Sequence, residues 1–230
     1  LAGGAWSRLF CRRHELSLPQ LKVRASVFRT SPLSDGPSAN LWSSKVALRR
    51  RLDGGYTIAN GHDNVVDLVP DHATFFFNFL PALCMEWRSL KPRLNHRFIE
   101  EWRQPGYWAL DEVSPFEGCR VLDPEPVARV NEEAWQAVRT LFPVFQQARI
   151  EEAWAGMIDV TPDAIPVVSE VKGLPGFFIA TGFSGHGFGI GPGAGHLVAD
   201  LVSGNPSLVD PSPFRFSRFS EGSRPRPESY

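Results

Sequence analysis

Between positions 176 and 195 the chain reads Gly-Phe-Phe-Ile-Ala-Thr-Gly-Phe-Ser-Gly-His-Gly-Phe-Gly-Ile-Gly-Pro-Gly-Ala-Gly. A short apolar run enters a turn saturated with glycine, which opens into an amphipathic segment over residues 196–202. Strand, glycine turn and helix is the layout that brings main-chain N–H groups and a helix N-terminus up to a ligand. Glycines at alternate positions leave no Cβ to hold a flat or anionic group off the backbone. The competing reading is a turn that uses glycine only to pack strand against helix. So many glycines are entropically costly for that purpose alone, which favours the ligand.

Composition narrows the remaining possibilities. With 230 residues the chain can form one large domain or two small ones, each with an apolar core. A formal charge of −1 offers no basic surface for nucleic acid or an anionic membrane. Cys11, Cys84 and Cys119 are odd in number and widely spaced, so neither a disulfide scaffold nor a zinc site is expected. A cytoplasmic location fits that usage. The longest apolar run, residues 75–85, is interrupted by Asn78 and Pro81 and is too short to span a bilayer. The opening Leu1-Ala2-Gly3-Gly4-Ala5-Trp6 lacks a signal-peptide pattern and reads as the tail of a strand. It predicts the C-terminal portion of a longer protein.

Along the chain, Leu21, Val23, Ala25 and Val27 alternate with polar residues and predict a strand over 20–30, followed by a loop over 31–40. Strands over 41–52 and 56–59 flank Asp53-Gly54-Gly55, a hairpin signal. Another strand is expected over 65–69. Asp71 reads as the N-cap of a helix running towards Leu90, bent or split at Pro81. Residues 93–102 are ambiguous. Pro124 and Glu125 open a helix to about Phe142, with Val127, Val130, Ala134, Val138 and Leu141 at helical spacing. Short strands follow over 150–157, 165–168 and 177–180, and Gly204 ends the last helix. The pattern predicts an α+β fold with an antiparallel sheet, helices in its middle and a second layer at its ends.

Three motifs invite a sharper reading. Residues 189–194 formally satisfy G-x-G-x-x-A, but a dinucleotide unit needs a further strand with an acidic end, and the chain runs into Pro206, Pro211 and Pro213 instead. Gly182-Phe183-Ser184-Gly185-His186 misses the G-x-S-x-G hydrolase elbow at its fifth residue, and only His196 follows as a base. His62, Asp63, Asp67, Asp71 and His72 cluster in sequence without a metal-ligand spacing, so a polar turn with a helix cap is expected.

Trp154-Ala155-Gly156, then Thr161-Pro162-Asp163-Ala164-Ile165-Pro166-Val167, then the run from Gly173 to Gly187 together resemble the closing segment of the FAD-dependent D-amino acid oxidase superfamily. That group includes glycine and sarcosine oxidases and D-amino acid dehydrogenases. The opening Ala2-Gly3-Gly4-Ala5-Trp6-Ser7 is similar to the family's strand end before its substrate domain, and Pro213-Phe214 with Arg218-Phe219 is similar to the family's ending. Over residues 20–149 the resemblance is weaker but keeps the same order of elements.

The resemblance implies a flavoprotein of two domains. Residues 1–19 would end the FAD-binding domain, 20–149 form the substrate domain, 150–208 return to the FAD domain and 209–230 form a tail. It implies FAD as cofactor and an amino acid or amine as substrate, oxidised at its C–N bond by hydride transfer to flavin N5. The N-terminal fingerprint that holds the ADP half is not in this sequence, so the chain alone is expected to turn over little. Positions matched to cofactor contact are Gly3, Gly4, Trp6, Gly156, Gly182, Phe183, Ser184, Gly185, His186, Gly187, Phe188, Gly189 and Ile190. No catalytic residue and no metal ligand is assigned. Where family members often carry a carboxylate-binding arginine, this chain has Ile158 followed by Asp159. Arg51 is the expected substitute, with Tyr56 and His62 as pocket neighbours, although Arg49-Arg50-Arg51 also reads as a solvated strand edge. The alternative is a binding or assembly module that keeps the fold and has lost the flavin.

Overall fold

The computed structural model describes residues 3–61, 64–222 and 227. A single 3-10 turn, Gly4–Trp6, leads into helix α1 (Ser7–Arg13). Strand β1 (Leu21–Thr30) then runs the length of the larger sheet. Hydrogen bonding around Ser43 breaks the expected 41–52 strand in two. Its hydroxyl accepts from the amides of Lys45 and Val46, leaving β2 (Leu41–Trp42) and β3 (Ala47–Arg50). The Asp53-Gly54-Gly55 hairpin forms as the sequence predicts. Asp53 Oδ1 accepts from Gly55 N, Gly54 takes φ +85°, and β4 (Tyr56–Ala59) returns antiparallel to β3.

β5 (Asn64–Asp67) and β6 (Leu90–Arg93) pair in parallel, so the sheet is mixed rather than purely antiparallel. Between them lie α2 (Pro70–Thr74) and α3 (Phe76–Glu86). The cap at this helix start is Val69, with Pro70 in the first turn, not Asp71. Asp71 turns instead to Arg8, accepting from Nε and Nη2 at 3.1 Å each. The break falls at Phe75, and Pro81 is carried inside α3.

Helix α4 (His96–Arg103) resolves the ambiguous segment, capped by Asn95, whose side chain accepts from Arg97 N. The short α5 (Pro115–Gly118) carries a Ser114/Glu117 capping box. Helix α6 (Ala128–Leu141) starts later than Pro124 suggested. Ser26 Oγ accepts from Val127 N and Arg24 donates to Glu125 O, which holds that stretch extended against β1. Of the expected core face, Val130, Ala134 and Val138 are buried, joined by Trp135, while Leu141 is exposed.

β7 (Ile150–Val160) pairs with β1 from Leu21↔Val160 to Arg29↔Glu152 and is longer than the 150–157 reading. One face of this sheet is closed. Phe28, Leu48 and Ile58 pack there against Ala134, Trp135, Val138 and Phe145, and removing so much apolar surface from water is the main stabilising term. Strand alternation sends Val23, Ala25 and Val27 to the other face, beside Ile158, Gly156 and Trp154 of β7, and all six remain partly exposed.

A second sheet pairs β8 (Val167–Glu170) with β9 (Phe178–Thr181). Its core joins Cys11 and Leu18 to Val167, Val171 and Ile179, with Phe177, Phe216 and Phe219 around it. Helix α7 (Gly187–Ser203) closes this layer and ends at Gly204, in the left-handed conformation at φ 68°.

Candidate functional site

α7 begins nine residues before the expected start at His196, so most of the glycine run is helix rather than turn. A helix interior penalises glycine by about 1 kcal/mol per residue relative to alanine, and the packing of α7 on β8 and β9, with Leu197 and Asp200 buried, overrides that preference. The true corner is residues 182–186. Gly182 has φ +75°, and a Cβ there would stand 2.4 Å from Thr161 Cγ2, so only glycine fits. A Cβ on Gly187 would press on Phe183 at 3.3 Å. The other glycines differ. At Gly4, Gly156, Gly189, Gly191, Gly193 and Gly195 an added Cβ would meet nothing within 4 Å, and at Gly185 only Ile158 at 3.9 Å.

The bare surface is therefore not filled by the chain's own neighbours. Of these glycines, Gly189 lies in the first turn of α7, whose N-terminus has no side-chain cap and whose unsatisfied amides and helix dipole favour a negative group. Phe188 is fully exposed in that first turn.

A buried polar network fixes the corner from behind. Asp159 Oδ2 accepts from Gly182 N at 2.7 Å and from Gln20 Nε2 at 3.0 Å. The Asp159 carbonyl accepts from Ser184 N at 3.0 Å. Thr181 Oγ1 takes a hydrogen bond from Gln20 Nε2 and lies 2.7 Å from Ser7 Oγ, 3.3 Å from Asp159 Oδ2 and 3.4 Å from Gly4 O. Ser7, Gln20 and Thr181 are all buried. Burial pushes the Asp159 carboxyl above the usual range, against the lowering effect of the Gly182 amide and the two side-chain donors.

These bonds bring Gly3, Gly4 and Trp6 together with the corner, because Gly3 precedes and Gly4 opens the turn that Thr181 and Ser7 anchor. Trp6 stacks edge-on to Phe116 at 5.6 Å, beside an open hollow of about 450 Å³ lined also by Phe10, Glu117, Cys119 and Arg120. Ser184 Oγ donates to Gly182 O and sits 3.3 Å from Thr161 N, and its φ is +50°. It faces a threonine and not a base, which removes the hydrolase reading. Residues 189–194 lie inside α7, and only 3-10 turns follow among the described residues, so no dinucleotide unit forms there.

Two of the expected substrate residues, Arg51 and Tyr56, lie away from the corner. Arg51 pairs with Asp53 at 3.0 Å in the hairpin, at the end of β1 near Arg29, while the corner adjoins the end near Lys22. Seven residues of strand separate those ends by about 23 Å. Tyr56 is wholly buried, its hydroxyl donating to Pro37 O and its ring against Phe145, so it serves the core. His62 lies outside the described residues. In the sequence Asp159 stands out only as the neighbour of Ile158, and neither it nor Gln20 nor Thr181 is assigned a role there. The available signal was a polar residue ending an apolar strand beside the glycine run.

A family model, DAO (FAD dependent oxidoreductase), matches residues 1–201. The chain belongs to this family. Sarcosine oxidase subunit beta from Arthrobacter is 32% identical over 93 residues, covering 40% of this chain and 23% of that protein. FAD-dependent oxidoreductase domain-containing protein 1 from Bos taurus is 37% identical over 95 residues, covering 40% and 20%. Among solved structures, L-amino acid deaminase from Proteus vulgaris has a TM-score of 0.88 at 32% identity, over 95% of this chain and 50% of that one. The Proteus myxofaciens deaminase in complex with anthranilate gives 0.90 at 33%, over 96% and 49%. The chain thus spans about half the length of those deaminases and a smaller share of the curated relatives. Membership of the DAO family makes FAD the cofactor to fit to the bare surface, and the glycines that would accept a Cβ without contact are compatible with a flat group lying there. No helix among the described residues is long and apolar enough to cross a membrane.

Proposed function

We propose that this chain supplies the substrate-facing half of an FAD-dependent oxidoreductase that oxidises the C–N bond of an amino acid or amine. One observation carries the reading. An uncapped helix N-terminus with unfilled space at Gly189 follows a corner whose Gly185 lies against Ile158 on the open apolar face of the larger sheet. In this reading the cofactor is held by Gly3, Gly4, Trp6, Gly156 and residues 182–190. Residues 1–19 and 150–208 belong to its binding unit, residues 20–149 to the substrate unit and 209–230 to a tail. The ADP half is held by a portion not contained in these 230 residues, so the chain alone turns over little.

FAD, when bound, accepts a hydride from the substrate carbon alpha to nitrogen. The chain's own residues do the rest. The positive end of α7 stabilises negative charge gathering at the corner. Val23, Val27, Trp154 and Ile158 give the substrate an apolar wall that excludes water. Ile158 offers that substrate no cation, which suits an amine or an amino acid whose carboxylate is held from another element. Three unpaired cysteines agree with a cytoplasmic setting.

Purification of the full protein with FAD and anaerobic addition of candidate amines and amino acids tests the reading. A yellow protein bleached by one of them supports it. A second reading, a flavin-free module on the same fold, is favoured by Ile158 in place of an arginine. A protein that stays colourless in excess FAD would select that one.

A further inference from the structure

The geometry points to Asp159 as the positioning residue that sets the corner and the 3–6 turn at a fixed spacing and places a half-buried negative charge behind them. The inference rests on the reading that this corner faces FAD. Three groups from two separate segments converge on Asp159: Gln20 ahead of β1, and Thr181 with the adjoining Gly182 amide where β9 runs into the corner. Its carbonyl oxygen holds a fourth point, Ser184 N. Through Thr181 the network continues to Ser7 and Gly4 O, which belong to a second segment expected to touch the cofactor.

The carboxylate has no ion-pair partner among the described residues. Lys22, opposite it in register, is committed to Glu101 at 2.8 Å, and the Arg8 guanidinium to Asp71. A half-buried carboxylate satisfied only by neutral donors still loses part of its hydration, and a packing role would be met as well by an uncharged side chain. What an uncharged aliphatic residue would lose is the grip on Gly182. Gly182 needs that grip, because its φ of +75° and its closeness to Thr161 leave one narrow placement for the backbone.

Two substitutions separate grip from charge. Asp159→Asn keeps an acceptor for Gly182 N and removes the charge, whereas Asp159→Ala removes both. In the full chain, Asp159→Ala should speed amide exchange at Gly182 and Ser184 by roughly tenfold or more. The amides of Ala25 and Val27 in β1 should stay at the wild-type rate. FAD affinity in the full protein should fall by a similar factor. Asp159→Asn should keep exchange within about threefold of wild type. It should also shift the flavin reduction equilibrium towards the reduced form by roughly tenfold, about 30 mV for a two-electron couple.

Wild-type exchange at Gly182 in the alanine variant overturns the proposal. So does a uniform rise along β1 and β7, which would mark a brace of the fold only. An asparagine variant with an unshifted potential overturns the role of the charge. Failure of the wild-type protein to take up FAD contradicts the flavin reading alone, and the exchange comparison still decides what Asp159 holds.

Discussion

Ile158 lies against Gly185, its Cδ1 and Cγ2 each 3.9 Å from where a Gly185 Cβ would sit. Whatever rests at the corner on the open sheet face therefore meets a branched hydrocarbon. A guanidinium at this position would give a carboxylate a bidentate partner. Ile158→Arg should raise kcat/KM for an α-amino acid over its decarboxylated amine by roughly tenfold, the value of one charge-assisted pair. Steady-state comparison of the two substrates reads this out. An equal change for both would mean that position 158 does not meet the substrate.

Arg218 grips Asp163 through two bonds, Nε to Oδ2 at 2.8 Å and Nη2 to Oδ1 at 3.1 Å, with both side chains buried. The pair ties the end of the chain to the loop before β8. Arg218→Met strands a buried carboxylate and should cost about 3–5 kcal/mol. Adding Asp163→Asn should recover part of that loss, because the uncompensated charge is gone. Urea unfolding of the single and double variants measures both. A double variant as unstable as the sum of the singles would mean the two residues act independently.

His72 gives the fold a pH dependence of known sign. His72 is half-buried in α2, its Nδ1 lies 3.1 Å from Val69 N, and its inaccessible Nε2 has no hydrogen-bond partner. Burial lowers its pKa below 6.5, against smaller raising effects from the Val69 hydrogen bond, Glu101 and Asp71. The unfolded chain thus binds the proton first, and stability falls as pH drops from about 6.5 through the folded value. Thermal melts from pH 8 to pH 5 should show that fall in wild type and a shallower one in His72→Gln. Parallel curves would place the dependence in other groups.

The sequence revealed some features more readily than others, for physical reasons. The Asp53-Gly54-Gly55 hairpin, β1 and the Gly204 stop were legible because each is encoded by local chemistry: a turn with positive φ, an alternating strand, a left-handed cap. The start of α7 was not, because glycine weakens a helix locally and only the packing of its later turns restores it. The corner's supports were also hidden. Gln20, Asp159 and Thr181 are 139 and 22 residues apart in sequence, and nothing in any one segment announces the others. Arg51 and Tyr56 drew attention for the opposite reason. They stand near a strong hairpin signal, and that hairpin lies at the opposite end of β1 from the corner.

Gly189 offers the most direct test of the claim that the glycine surface is kept bare for a flavin. It lies in α7, where an added Cβ meets nothing within 4 Å. Gly189→Ala should therefore stabilise the fold by about 0.5–1 kcal/mol through helix propensity. In the same protein, FAD affinity measured by titration should weaken by roughly tenfold, near the 1.4 kcal/mol that one displaced contact can cost. A variant that gains stability and binds FAD as tightly as wild type would contradict the account.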